Sequence, residues 1–151
     1  VEVNQNQKIL LIKKARKYYD SFDGLTVAVL GLAFKPGTDD LREAPSLDNV
    51  PILLDDGASV KVWDPVAADH FRQRFDGRLI YCDTVEETIA DADICFILTE
   101  WPEVKNTPPG AFLKMRHPII LDGRNCFELS AMAEYPIVYD SIGRPVVGKL
   151  R

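Results

Sequence analysis

The chain has 151 residues, 46% of them hydrophobic, which is enough for one packed globular domain and hardly for two. Eighteen basic residues against 23 acidic ones give a formal net charge of −5, which argues against a general nucleic-acid binder but permits a local basic pocket for a phosphate ligand. No apolar run approaches the length of a membrane span, and the opening "VEVNQNQK" has no signal-peptide core.

Residues 4–22 read as a helix. Leu11, Ile12, Ala15, Tyr18, Tyr19 and Phe22 form one apolar stripe, and Lys13, Lys14, Arg16 and Lys17 read as a solvated basic face. Starting directly on this helix, the sequence reads as a piece of something longer. After "FDGL" the period changes. "TVAVLG" (26–31) is a continuous apolar run of the kind a strand buried on both faces carries. "SLDNVPILLDDG" follows as a helix with Ser46 as its N-cap, offset by Pro51 and ended by Gly57. Then come the strand "SVKVWD" (59–64), the helix "PVAADHFRQRF" and the strand "RLIYC" (78–82). "TVEETIADA" is a helix capped by Thr84, with Glu87 at the capping-box position. "ADICFILT" (92–99), "PIILD" (118–122) and "PIVYD" (136–140) complete the strands, separated by the helical "PGAFLKM" and "FELSAMAE". This alternation with short connections specifies an α/β fold, a Rossmann-like doubly wound parallel sheet of about six strands with helices on both faces. No repeat or low-complexity segment interrupts it.

In such a sheet, ligands bind beyond the carboxyl ends of the strands, where strand order reverses. The first strand runs into "GLAFKPGTDDLREAPS" (31–46), which holds Gly31 but no G-x-G-x-x-G. Lys35 and Arg124 are two cations on loops at that edge, the lysine a point charge suited to phosphate oxygens and the arginine a planar fork that can grip phosphate or the edge of a base. A lysine in place of the glycine-rich cradle is weak evidence by itself, and an exposed loop lysine is the competing reading. Asp64 occupies the position of a ribose-binding acid at the end of a second strand, or serves as a turn or N-cap aspartate before Pro65. Trp101 offers a face for base stacking or packs a loop on the core. The acidic "TDDLRE" cluster contains Arg42 and reads as a local ion-pair network before a metal site.

No residue offers convincing catalysis. Cys95 lies in mid-strand and reads as core; Cys82 and Cys126 follow strands but lack an adjacent His or Lys. The three cysteines are irregularly spaced with no CxxC pair, and His70 and His117 are far apart, so a zinc site is not expected and the chain reads as a reduced, cytoplasmic protein.

These stretches also carry a resemblance. "GLAFKPGTDDLREAPS", "VWDP", "ILTEW", "LDGRN" and "SIGRPVV", in this order, resemble the C-terminal domain of the UDP-glucose/GDP-mannose dehydrogenase family, over nearly the whole chain. "VNQNQK" looks like the end of the family's central helical segment, which implies a division into a linking helix (1–23) and a UDP-sugar-binding Rossmann-like domain (24–151). The resemblance implies an NAD-dependent nucleotide-sugar 6-dehydrogenase. Its N-terminal domain binds NAD, its middle segment carries the catalytic cysteine and lysine, and its C-terminal domain holds the UDP of the substrate. Neither the NAD fingerprint nor the cysteine motif occurs here, so no catalytic residue is expected in this chain. Carried over residue by residue, Phe34 and Lys35 match the substrate-binding pair, Arg124 an arginine on the UDP, and Arg42 an arginine reaching the NAD of the other domain. The resemblance further implies a UDP-sugar partner, no nucleic acid or membrane, and a homo-oligomer in the full-length enzyme. "SIGRPVV" leans towards UDP-glucose. UDP-N-acetylmannosamine and GDP-mannose are the alternatives within the family, and a free-standing nucleotide-binding module is the alternative outside it.

Overall fold

The structure, a computed structural model, describes residues 8–75 and 77–148. A short helix α1 (Leu10–Ala15) leads into β1 (Thr26–Leu30), α2 (Ser46–Asp55), β2 (Ser59–Trp63), α3 (Ala68–Phe75), β3 (Ile80–Tyr81) and α4 (Val85–Ile89). Then follow β4 (Ile94–Ile97), α5 (Pro102–Lys105), a 3-10 turn (Pro109–Lys114), β5 (Ile119–Asp122), α6 (Leu129–Met132) and β6 (Val138–Asp140). Among the described residues the strands form one sheet in the order β3-β2-β1-β4-β5-β6, every pairing parallel. The doubly wound α/β architecture expected from the alternation is therefore present. Its order reverses between β1 and β4.

The apolar runs are strands because both of their faces are covered. β4 and β5 are buried at every residue, and β1 is exposed only in part at Thr26. β3 keeps two residues, fewer than "RLIYC" suggests, because it is the sheet edge and Ile80 lies in solvent. Thr84 caps α4 as expected, accepting the Glu87 N–H at 3.0 Å. Ser46 does not cap α2. Its hydroxyl donates to the Leu32 carbonyl at 2.6 Å instead and ties the helix start to the loop after β1. α5 has no counterpart in the sequence reading.

Helix α1 departs from expectation more sharply. Residues 4–7 lie outside the described residues, and the described helix ends at Ala15, not at residue 22. Leu11, Ile12 and Ala15 are buried as predicted. The basic face, however, is not simply solvated. Lys14 and Lys17 grip the fully buried Asp140 at 2.9 and 2.8 Å, at the carboxyl end of β6. The Arg16 guanidinium stacks on Phe22, 4.5 Å from its ring centroid. Burial opposes ionisation of Asp140, but the lysine hydrogen bonds outweigh it and hold its carboxyl below the ordinary range. The tyrosines that follow are anchored too: Tyr18 reaches Asp140, and Tyr19 donates to the Asp93 carbonyl. Burial, reinforced by these neighbouring carboxylates, pushes both phenols up to about 12. Tertiary partners end the helix here, not a breaker in the sequence.

At the opposite, amino edge, Asp93 accepts from the Thr26 N–H at 2.9 Å and pairs with Arg116 and His117, joining the starts of β1, β4 and β5. Among the described residues no helix is long and apolar enough to cross a membrane.

Candidate nucleotide-binding site

All strands point the same way, so their carboxyl ends and the loops that follow meet at one edge. Gly31 begins the loop after β1 at φ +92, and a side chain there would overlap Thr99. The Thr99 hydroxyl donates to the Ala33 carbonyl at 2.6 Å. Glycine thus permits the loops after β1 and β4 to close on each other at the reversal point.

The carboxylate of Asp64, at the end of β2, sits under this turn. One oxygen accepts from the N–H groups of Leu32 (2.7 Å) and Ala33 (3.0 Å) and from the Trp101 indole (3.0 Å). The other accepts from Val66 and Ala67 at 2.9 and 2.7 Å, ahead of α3. Both readings of Asp64 and Trp101 are decided by this geometry. Asp64 is the turn and N-cap aspartate, and Trp101 is a buried packing residue with a polar anchor. The arrangement also bears on NAD. In a dinucleotide domain the backbone N–H groups of this turn face a pyrophosphate. Here the chain's own carboxylate takes them, so these residues do not fit a bound dinucleotide.

A cavity lies on the other side of the reversal point. It measures about 590 Å³ and is framed by Phe34 and Pro45 after β1, Leu98 after β4, Arg124 after β5, Ile142 after β6, and Leu10 and Leu11 of α1. Its wall is mainly apolar, with a few polar groups at the mouth, which is the usual make-up of a small-molecule site. Lys8 and Glu43 form one ion pair at the rim, 2.8 Å apart. Arg124 is the other cation. Its Nη2 donates to the Phe34 carbonyl at 2.9 Å, joining two of the residues singled out from the sequence.

Arg124 stands on a braced loop. Asp122, buried at the end of β5, accepts from the N–H groups of Arg124 (2.8 Å) and Cys126 (2.7 Å) and from the Tyr139 hydroxyl (2.6 Å). Burial and the Asp122 carboxylate push the Tyr139 phenol upward, so it stays a neutral donor. Arg144, from "SIGRPVV", donates to the same hydroxyl at 2.8 Å. Asn125 exchanges two hydrogen bonds with the Ile142 backbone. The sequence reading missed Tyr139, Asn125 and Arg144 as supports, although "LDGRN" and "SIGRPVV" already marked two of the stretches.

Lys35 and Arg42 are placed differently. Lys35 is exposed beside Phe34 and does not line the cavity. Arg42 is 89% exposed and paired to Asp40 at 3.0 Å, in a separate cleft with Asp39 and His70. The ion-pair network expected of "TDDLRE" is the Asp40–Arg42 pair. A larger groove of about 710 Å³ beyond β2 and β3 is lined by Asp64, Asp69, Asp83, Glu86 and Glu103 against Arg72. Its charge disfavours a phosphate ligand.

The cysteines offer no activated thiol. Cys95 is fully buried, and burial raises the pKa of all three, against the direction a nucleophile needs.

Fold and cavity together define a doubly wound Rossmann-like domain whose turn after β1 is closed by an internal carboxylate. Residues 28–129 match the UDP binding domain of the UDP-glucose/GDP-mannose dehydrogenase family, and the chain belongs to that family. It is 40% identical over 97% of its length to the UDP-glucose 6-dehydrogenase TuaD of Bacillus subtilis, covering 32% of that protein. Against the UDP-glucose 6-dehydrogenase of Pseudomonas aeruginosa it is 39% identical over 96% of its length, covering 34% of that protein. The solved UDP-glucose dehydrogenase of Pyrobaculum islandicum superposes with a TM-score of 0.76 at 28% identity, over 92% of this chain and 30% of that one. The chain therefore spans about a third of the length of the curated relatives it matches.

Proposed function

We propose that this chain is the UDP-binding part of a UDP-glucose 6-dehydrogenase, residues 1–23 ending a linking helix and 24–151 forming the domain. The observation that carries the reading is the Arg124–Phe34 contact at the mouth of the cavity beside the reversal point. A diphosphate brings concentrated negative charge, and the free edge of a guanidinium matches two of its oxygens. The apolar wall from Leu10, Leu11, Leu98 and Ile142 suits the flat face of a pyrimidine. Lys35, exposed next to Phe34, needs only to swing its flexible stem to add a second cation. That relatives of the chain are UDP-glucose 6-dehydrogenases favours UDP-glucose as the sugar nucleotide.

Within the whole enzyme, NAD belongs to another part of the protein, because the turn after β1 is closed by Asp64. Arg42, exposed on the outer cleft, would turn from Asp40 to a cofactor held there. The oxidation of the sugar, and a homo-oligomeric assembly, are likewise properties we assign to the whole enzyme. Incubated with UDP-glucose and NAD, this chain by itself should produce no NADH. Titrating UDP, GDP, uridine and UDP-glucose into the chain by calorimetry tests the reading. UDP and UDP-glucose should bind more tightly than GDP and uridine. Equal affinity for GDP would point to a GDP-mannose enzyme, and no preference for diphosphate over nucleoside would overturn the proposal.

A further inference from the structure

We infer that Glu100 is the positioning residue that aims the Arg124 guanidinium into the cavity, an inference that rests on reading the cavity as the UDP site. Glu100 follows β4 and Arg124 follows β5, and these strands are paired neighbours, Ile97 lying opposite Asp122. The Glu100 Oε1 and Arg124 Nε atoms are 3.4 Å apart. Both are shut off from solvent, and neither has a hydrogen-bond partner elsewhere. They form an ion pair without a hydrogen bond. A surface pair of this separation would leave both atoms wet; here a buried donor and a buried acceptor face only each other.

The guanidinium is thereby fixed on two of its three nitrogens. Nε faces Glu100, and Nη2 donates to the Phe34 carbonyl. Nη1 and the second proton of Nη2 are left for a ligand. Planarity then sets the direction of the free edge. The backbone that carries Glu100 is held in place, since the next residue, Trp101, is anchored through its indole to Asp64. A chain of fixed groups thus runs from the β2 carboxylate to the arginine, and a phosphate meets a fork whose orientation is already set.

The inference is tested in the 151-residue chain labelled with ¹⁵N, with Glu100→Ala, Glu100→Gln, Arg124→Ala and the double variant. The Arg124 Nε–H resonance, assigned by its loss in Arg124→Ala, reports the pair without any ligand. Its exchange with water should be slow in wild type and in Glu100→Gln, whose side chain still covers Nε, and fast in Glu100→Ala. UDP is the ligand probe. Glu100→Ala should weaken it about tenfold, Glu100→Gln by no more than about twofold, and Glu100→Ala should add nothing once Arg124 is alanine. Circular dichroism and thermal melting confirm folding. Wild-type UDP affinity in Glu100→Ala, or the same loss in both arginine backgrounds, would overturn the positioning role. Wild-type affinity in Arg124→Ala would instead overturn the cavity assignment, and the Nε–H exchange still separates the two failures.

Discussion

The indole of Trp101 donates a 3.0 Å hydrogen bond to the same Asp64 oxygen that receives the Leu32 and Ala33 N–H groups. One buried carboxylate thus holds the loop after β1 and the loop after β4 together at the reversal point. Asparagine cannot replace it, because whichever way the amide turns, an NH₂ faces N–H donors. Each buried group left unpaired costs about 1–3 kcal/mol, so Asp64→Asn should lose about 3–5 kcal/mol in urea unfolding. A loss below about 1 kcal/mol would remove Asp64 from this role.

Trp101→Phe separates anchoring from base stacking. It deletes the indole N–H bond and leaves a small void where the indole was larger than a phenyl ring, and should cost about 2–4 kcal/mol of stability. UDP affinity should stay within about twofold, since Trp101 is buried away from the cavity wall. A tenfold loss of UDP binding with stability intact would restore the stacking reading.

The Asp140 cluster predicts a pH dependence. Its folded pKa is lowered, so its contribution is present above the unfolded carboxylate value of about 3.9 and is lost as pH falls through the folded one. Asp140→Asn should therefore be less stable than wild type by about 1–3 kcal/mol at neutral pH, with the gap closing in strong acid. Urea midpoints of both proteins across the acid range check this, and a gap independent of pH would contradict it.

How far the sequence foretold this depends on the distance between partners. The strand runs were legible because β1, β4 and β5 are buried on both faces, which demands uninterrupted apolar residues. Thr84 was legible because its partner is three residues away. Ser46 was misread because its acceptor, Leu32, is 14 residues back in a loop whose path local pattern does not encode. Lys14 and Lys17 were misread for the same reason on a larger scale, their partner lying 126 and 123 residues away. α5 could have been found, since Pro102 at its start after Trp101 is a recognised opening for a helix. At the site, Phe34 and Arg124 were found as separate loop residues and through the resemblance. Their contact, and the part played by Glu100, depend on the sheet order.

Arg42 provides a control for the assignment of the two clefts. It lies apart from the cavity, so Arg42→Ala should leave UDP affinity of the chain within about twofold of wild type. A tenfold fall, measured by calorimetry, would move Arg42 to the UDP site and withdraw its assignment to the cofactor.

The central claim is that UDP enters the cavity between α1 and the loops after β1, β4, β5 and β6. Methyl NMR during a UDP titration tests it directly. The account predicts saturable shifts at Leu10, Leu11, Leu98 and Ile142, lost or weakened about 10- to 100-fold in Arg124→Ala, with Val66 and Val85 beside the acidic groove unmoved. Shifts confined to Val66 and Val85, or a pattern untouched by Arg124→Ala, would contradict it.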